Sequence, residues 1–204
     1  MTWTLPAGYR GLIFDCDGTL VDNMPAHYRA WVAVLSRHDL ELTQTRFYEW
    51  AGMPIDVIVQ RLAKEKGLVV DAGSIAAERD AYFHSLPTRD LRPVAAVVEI
   101  ARRYHGQHPM AVATGSTAAS ASTSLSTIGV LEWFDAIVSS DDVGRPKPAP
   151  DIFLTAAQRI SVPPQECVVF EDGETGMEGA RIAGMHVVDV RPWIQRCGRA
   201  MTDW

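Results

Sequence analysis

Five short apolar runs, at residues 12–14, 110–113, 136–138, 167–170 and 186–190, are continuous where a half-exposed strand would alternate. A strand that hides one face alternates apolar and polar residues; a strand hidden on both faces does not. Runs of this kind fit a parallel sheet covered by helices on both sides. Helical stripes separate the later ones: Ala118, Ala121, Leu125 and Ile128; then Ile152, Phe153, Ala156, Ala157 and Ile160; then Met177, Ala180 and Ala183. Strand and helix in alternation predict an α/β fold, a doubly wound Rossmann-like sheet with right-handed crossovers.

Residues 22–93 break that rhythm and predict no strand. They carry helical stripes: His27, Trp31, Val34 and Leu35; Ile55, Ile58, Val59 and Leu62; Ile75, Arg79, Tyr82, Phe83 and Leu86. Lys64 and Lys66 stand at the expected end of the second helix, before Gly67. Asp22 fits the N-cap of the first helix and Pro93 the first turn of the next one. The reading is a core formed by residues 1–22 and 93–204, with a helical cap at 23–92 inserted after the first strand. Hinges are expected near residues 22–25 and 86–93. The stretch 192–204 carries no readable pattern.

At 204 residues the chain suits one to two domains with a full core. A formal net charge of −6 argues against nucleic acid or an anionic membrane as partner. Cys16, Cys167 and Cys197 form no CxxC pair, which fits a reducing compartment. No signal peptide and no membrane-spanning run is read, so the expectation is a cytoplasmic protein, monomeric or weakly dimeric.

The first run leads directly into Asp15-Cys16-Asp17-Gly18-Thr19. Two carboxylates one residue apart at the end of a buried strand repel each other unless a cation neutralises them. Gly18 permits a sharp turn there. Thr114-Gly115-Ser116 follows the second run and opens a helix, a ready site for an anion. Lys147, one of only three lysines, stands between Pro146 and Pro148; Glu171-Asp172 follows the fourth run. Each signal alone is weak, since caps and solvated lysines are common. In an open α/β sheet, however, ligands bind outside the carboxyl ends of the strands, and all of these residues map to that edge. Four carboxylates there suit a hard cation, Mg²⁺, and the lysine and hydroxyl suit a phosphoryl group. Together they are the parts of an aspartyl-phosphate enzyme. Cys16, between the two aspartates, is expected to point away from them, and His105 and His108 read as loop residues.

These motifs resemble the four signatures of the haloacid dehalogenase superfamily, and the inserted helices resemble its small helical cap. Within it the chain looks like the beta-phosphoglucomutase group, closest to the small bacterial fructose-1-phosphate phosphatases that also accept 6-phosphogluconate. The resemblance implies a phosphatase for a small phosphorylated sugar. It makes Asp15 the nucleophile and Asp17 the acid and base. Asp15, the backbone carbonyl of Asp17, Glu171 and Asp172 would hold Mg²⁺, Glu171 through water. Thr114, the amides of Gly115 and Ser116, the Gly18 turn and Lys147 would grip phosphate, with His27 a substrate contact. A mutase is the alternative: His27 fits it, but Ile55 in Gly52-Met53-Pro54-Ile55 replaces the cation a distal phosphate needs. A phosphoacceptor signalling domain is more remote, since receiver domains lack the second aspartate and the cap. Met53 and Ile55 are expected to influence substrate choice. Arg46, Arg61, Lys64 and Arg79 are the cap cations open to an acidic substrate.

Overall fold

The computed structural model describes residues 3–51, 53–87 and 91–194. Gly52, part of the 86–93 hinge, Cys197 and the end of the chain lie outside these residues. Five parallel strands form the central sheet: β1 (Gly11–Phe14), β4 (Met110–Ala113), β5 (Ala136–Val138), β6 (Cys167–Glu171) and β7 (His186–Asp189), in the order β5-β4-β1-β6-β7. Each falls on one of the continuous runs. The reason is burial: β1 lies between β4 and β6, with Leu12 level with Met110 on one side and Val168 on the other. Leu12, Ile13 and Phe14 are fully shielded. Each such side chain contributes about 1.5–3 kcal/mol on leaving water.

The two faces of β1 feed two separate cores. Leu12 and Phe14 join Val97, Ile100, Leu125 and Phe170, whereas Ile13 joins Ile152, Phe153, Ala156 and Val169. Phe14 stacks on Phe170 at 4.6 Å between ring centroids. The covering helices are α5 (Ala95–Tyr104) and α6 (Ala118–Thr127) for the first core, and α7 (Asp151–Arg159) and α8 (Glu174–Ile182) for the second. This is the α/β architecture expected from the runs.

Between β1 and β4 the chain makes β2 (Val21–Asp22), α1 (Met24–Leu35), α2 (Gln44–Glu49), α3 (Ile55–Lys66), α4 (Ala72–Ser85) and β3 (Arg92–Pro93). The helices carry a hydrophobic centre of their own, with Trp31, Val34, Leu35, Phe47, Ile58 and Leu62 among its buried members. Their stripes were legible; α2 was not, because one helical turn and a half leaves too few residues to show a period.

Three details correct the sequence reading. Val21 and Asp22 pair antiparallel with Pro93 and Arg92, so two short strands stand where none was expected. Asn23, and not Asp22, occupies the N-cap of α1; it makes no side-chain cap bond, and its Nδ2 donates to Asp17. Pro93 sits in β3, and α5 begins two residues later behind Val94. The stretch from residue 192, read as patternless, begins inside a single turn, α9 (Arg191–Ile194), whose Trp193 and Ile194 pack on the first core. Among the described residues no helix is long and apolar enough to cross a membrane.

Candidate active site

The carboxyl ends of β1, β4 and β6 meet at one edge of the sheet. Asp15 continues the β1–β6 ladder, its amide donating to the Phe170 carbonyl at 3.0 Å. Glu171 ends β6, and Thr114 follows β4 with its amide bonded to Val138 at 2.9 Å. Lys147 arrives from the loop before α7 and is 5% exposed. Its ammonium donates to Asp15 Oδ1 at 2.7 Å and to Glu171 Oε2 at 2.8 Å, while lying 5.1 Å from the centre of the Phe153 ring. So deep a lysine loses hydration, which lowers its pKa, but the two carboxylates outweigh that loss and raise it.

Carboxylate oxygens of Asp15, Glu171 and Asp172 can all lie within 4.8 Å of one another. Lys147 supplies one positive charge to the group. Asp15 is consequently pushed well above the carboxylate range, by burial first and then by Glu171. Asp172 is pushed up to about 7, again by burial and then Glu171, although the Thr19 hydroxyl donates to it at 2.8 Å. A cluster short of positive charge, built of hard oxygen donors, fits a divalent cation such as Mg²⁺.

Two glycines make room for this cluster. Gly18 has φ +87°, and a Cβ there would run into the Asp172 carboxylate. A Cβ on Gly176, in the first turns of α8, would collide with the side chain of Glu171. Gly176 was missed from the sequence, where it reads as a mild defect in a helix. Gly176→Ala is expected to displace Glu171 from Lys147 and lower kcat roughly 10²-fold, the scale of an ångström misplacement at a catalytic centre. Steady-state kinetics beside a melting curve would check it: unchanged kcat would show that Glu171 has slack.

Asp17 faces a different set of groups. Ser116 Oγ donates to its Oδ2 and Asn23 Nδ2 to its Oδ1, each at 2.5 Å, and His27 Nε2 approaches Oδ1 at 3.4 Å. Burial alone would raise the Asp17 pKa, but His27 and these donors hold it well below the usual carboxylate range. The side chain of Asp17 therefore lies outside the three-carboxylate group. The Ser116 amide, expected to face phosphate, donates instead to Thr114 Oγ1 at 3.1 Å. Gly115 is exposed beside it.

His27 was open to a reading as a surface residue of α1; it is buried, stacked on Phe83 at 4.0 Å. Arg79 of α4 donates through Nη2 to His27 Nδ1, which leaves the proton of a neutral imidazole on Nε2, facing Asp17. Burial and then the Arg79 charge lower the His27 pKa. Nothing in the local sequence signals this link, because 52 residues separate its two partners. Cys16 points into the first core, away from the carboxylates, and burial raises its thiol well above the ordinary value. His105 and His108 are partnered with backbone carbonyls far from this edge.

Above the sheet edge, between it and the helices α1–α4, lies a cavity of about 380 Å³. Asp15, Asp17, Thr114, Lys147 and Glu171 line its floor, and Trp50, Met53 and Ile55 its opposite side. Of the four cap cations, Arg79 alone is among the described lining residues.

A cavity over a lysine-bridged aspartate can be compared with known proteins. The model of the haloacid dehalogenase-like hydrolase family matches residues 9–184. The fructose-1-phosphate phosphatase YqaB of Escherichia coli is 40% identical over 183 residues, covering 90% of this chain and 97% of that protein. The hexitol phosphatase A of the same organism is 30% identical, covering 89% of this chain and 82% of its own. The crystal structure of a hydrolase from Pseudomonas syringae superposes with a TM-score of 0.80 at 26% identity, covering 93% of this chain and 90% of the other. With the family match spanning most of the chain and the same sheet beneath it, this protein belongs to the haloacid dehalogenase-like hydrolases.

Proposed function

We propose that the protein is a Mg²⁺-dependent phosphatase of small phosphorylated sugars or hexitols, working through a phosphoaspartate on Asp15. The observation that carries this reading is the contrast between two aspartates one residue apart. Asp15 is bridged by Lys147 beside two further carboxylates, whereas Asp17 is held by Ser116, Asn23 and His27. Two carboxyl groups with environments this different are suited to two tasks, nucleophile and proton carrier.

Asp15, Asp172 and the backbone carbonyl of Asp17 would hold Mg²⁺, with Glu171 behind them. When bound, the cation supplies positive charge against the phosphoryl oxygens and the Asp15 carboxylate. Asp15 attacks phosphorus; the bond to the sugar oxygen breaks as the bond to Asp15 forms. Lys147 keeps the nucleophile oriented and offsets charge on the transferring group. Thr114, with Gly115 beside it, contacts the phosphate. Asp17 is anionic while Asn23 and Ser116 donate to it, which suits it to take the proton of the water that hydrolyses the phosphoaspartate. To protonate the leaving oxygen it must first surrender one of those donors. His27 and Arg79 act as positioning residues, linking α4 to Asp17. Residues 23–92 serve as the cap that excludes water.

Similarity to a fructose-1-phosphate phosphatase and a hexitol phosphatase supports the substrate class. Ile55 on the cavity wall, where a mutase needs a cation for a second phosphate, weighs against the mutase alternative. Phosphate release from a panel of sugar and hexitol phosphates, with Mg²⁺ or with EDTA, tests the reading. Release with Mg²⁺ that EDTA abolishes is the expected result. Conversion of glucose 1-phosphate to glucose 6-phosphate without release would overturn it.

A further inference from the structure

A second cavity, of about 580 Å³, opens beside the β2–β3 pair, with Asp22 on one of these strands and Arg92 and Pro93 on the other. It runs between Met24, Tyr48 and Glu49 of the cap and Val94, Glu174 and Ile194 of the core, and it reaches Gly18 and Asp172. Met24, Ala51, Asp172 and Gly173 line the first cavity as well, so they form the partition between the two. At that partition the Thr175 hydroxyl donates to the Ala51 carbonyl at 2.8 Å, tying the cap to the first turn of α8. Asp15 and Glu171 line the first cavity alone, whereas Asp172 borders both. The carboxylate group is therefore approached from two sides.

The second approach is acidic. Asp22, Glu49, Asp172 and Glu174 stand against two arginines, and Arg191 is already held by Asp189 at 2.6 Å and by Glu174 at 3.4 Å. Glu49, Ala95 and Glu174 are exposed, which puts them at the mouth. Farther in, burial and then the charges of Asp22 and Asp172 raise the pKa of the half-buried Tyr48, so both carboxylates lie near one phenol. A cleft lined by one sign of charge concentrates the opposite ion. Mg²⁺ also gives up its waters reluctantly, so it needs a wide and polar path. The first cavity offers such a path only while it is empty, because the substrate proposed above sets its phosphoryl group against Asp15 and Thr114, over the carboxylates.

We propose that the divalent cation reaches and leaves Asp172 through this second cavity, past Glu49 and Asp22, while the first cavity serves substrate and product. The proposal rests on the reading above that Asp15, Asp172 and the Asp17 carbonyl hold Mg²⁺. It adds how the ion comes and goes: in either order with substrate, and without waiting for product phosphate to leave.

Mn²⁺ is the probe, and its exchange is read without turnover. Release into a fluorescent chelator by stopped flow gives the dissociation rate; titration against the signal of free Mn²⁺ in electron paramagnetic resonance gives Kd; their ratio is the association rate constant. In the full chain, saturating inorganic phosphate should leave that association constant within about threefold, since it fills only the first cavity. Ala95→Trp, which narrows the second mouth, should slow association and release alike by about tenfold with Kd unchanged, the signature of an obstructed path. Glu49→Gln should lower association about twofold at low ionic strength and not in high salt. Met53→Trp, which narrows the first cavity, should raise the KM for a sugar phosphate and leave both Mn²⁺ rates alone. A larger fall with phosphate would overturn the proposal, as would wild-type Mn²⁺ rates in both Ala95→Trp and Glu49→Gln, or slowed exchange in Met53→Trp. Mn²⁺ exchange as expected, without hydrolysis of any sugar phosphate, would sustain the route and sink the phosphatase reading. A chain that binds no Mn²⁺ would remove both.

Discussion

Replacing Lys147 with Met is expected to damage stability and activity together. The ammonium is the partner of two buried carboxylates, each within hydrogen-bond distance and each nearly sealed from water. Methionine fills most of the volume but leaves Asp15 and Glu171 facing each other uncompensated. Breaking a buried ion pair from one side costs about 3–5 kcal/mol. Part of that cost is relieved when a carboxyl takes up a proton, so the deficit should shrink as the pH is lowered. Denaturant unfolding of both proteins across a pH series would measure this. A deficit that stayed constant with pH would mean that lost packing, and not lost charge pairing, is its source. Phosphate release should fall at least ~10³-fold, because the ammonium that orients Asp15 and offsets charge in the transition state is gone.

Asp15→Asn is expected to do the reverse, abolishing activity while sparing the fold. Asparagine matches aspartate in shape, and Lys147 keeps Glu171 as its partner. Burial and the neighbouring Glu171 already make a charge at position 15 costly, so its removal should leave the melting temperature unchanged or raise it. Without a nucleophilic carboxylate, phosphate release should drop roughly 10⁴-fold or more, as when the nucleophile of a covalent mechanism is removed. Wild-type rates in a correctly folded variant would require a nucleophile other than Asp15. Read beside Lys147→Met, this substitution separates chemistry from architecture: one should lose the reaction alone, the other should lose both.

How much of the site could be read in advance differs from residue to residue. Asp15, Asp17, Thr114 and Glu171-Asp172 follow directly on apolar runs, so a strand assignment already carries them to the sheet edge. Lys147 was placed there by two flanking prolines and its rarity, but its burial and its double ion pair belong to the folded chain. Ser116 was read as a source of amides for an anion, and its hydroxyl proves to be a partner of Asp17. Asn23 and Gly176 passed unnoticed, one because the neighbouring Asp22 was read as the cap, the other because a helical glycine reads as a weakness. Arg79 was one of four equivalent cap cations until the packing of α4 on α1 turned it toward His27.

The order of elements, the parallel sheet and the helical insertion are set by local pattern, because the period of apolar residues reports which faces of a segment leave water. The acidic pairs at strand ends are local too, since a βαβ sheet sends the ends of its buried strands to one edge. Which donor reaches which carboxylate is not local. Lys147 meets Asp15 across 132 positions and Ser116 meets Asp17 across 99. Such pairings depend on how the strands and the helices α1–α8 pack together, and only the tertiary structure decides them.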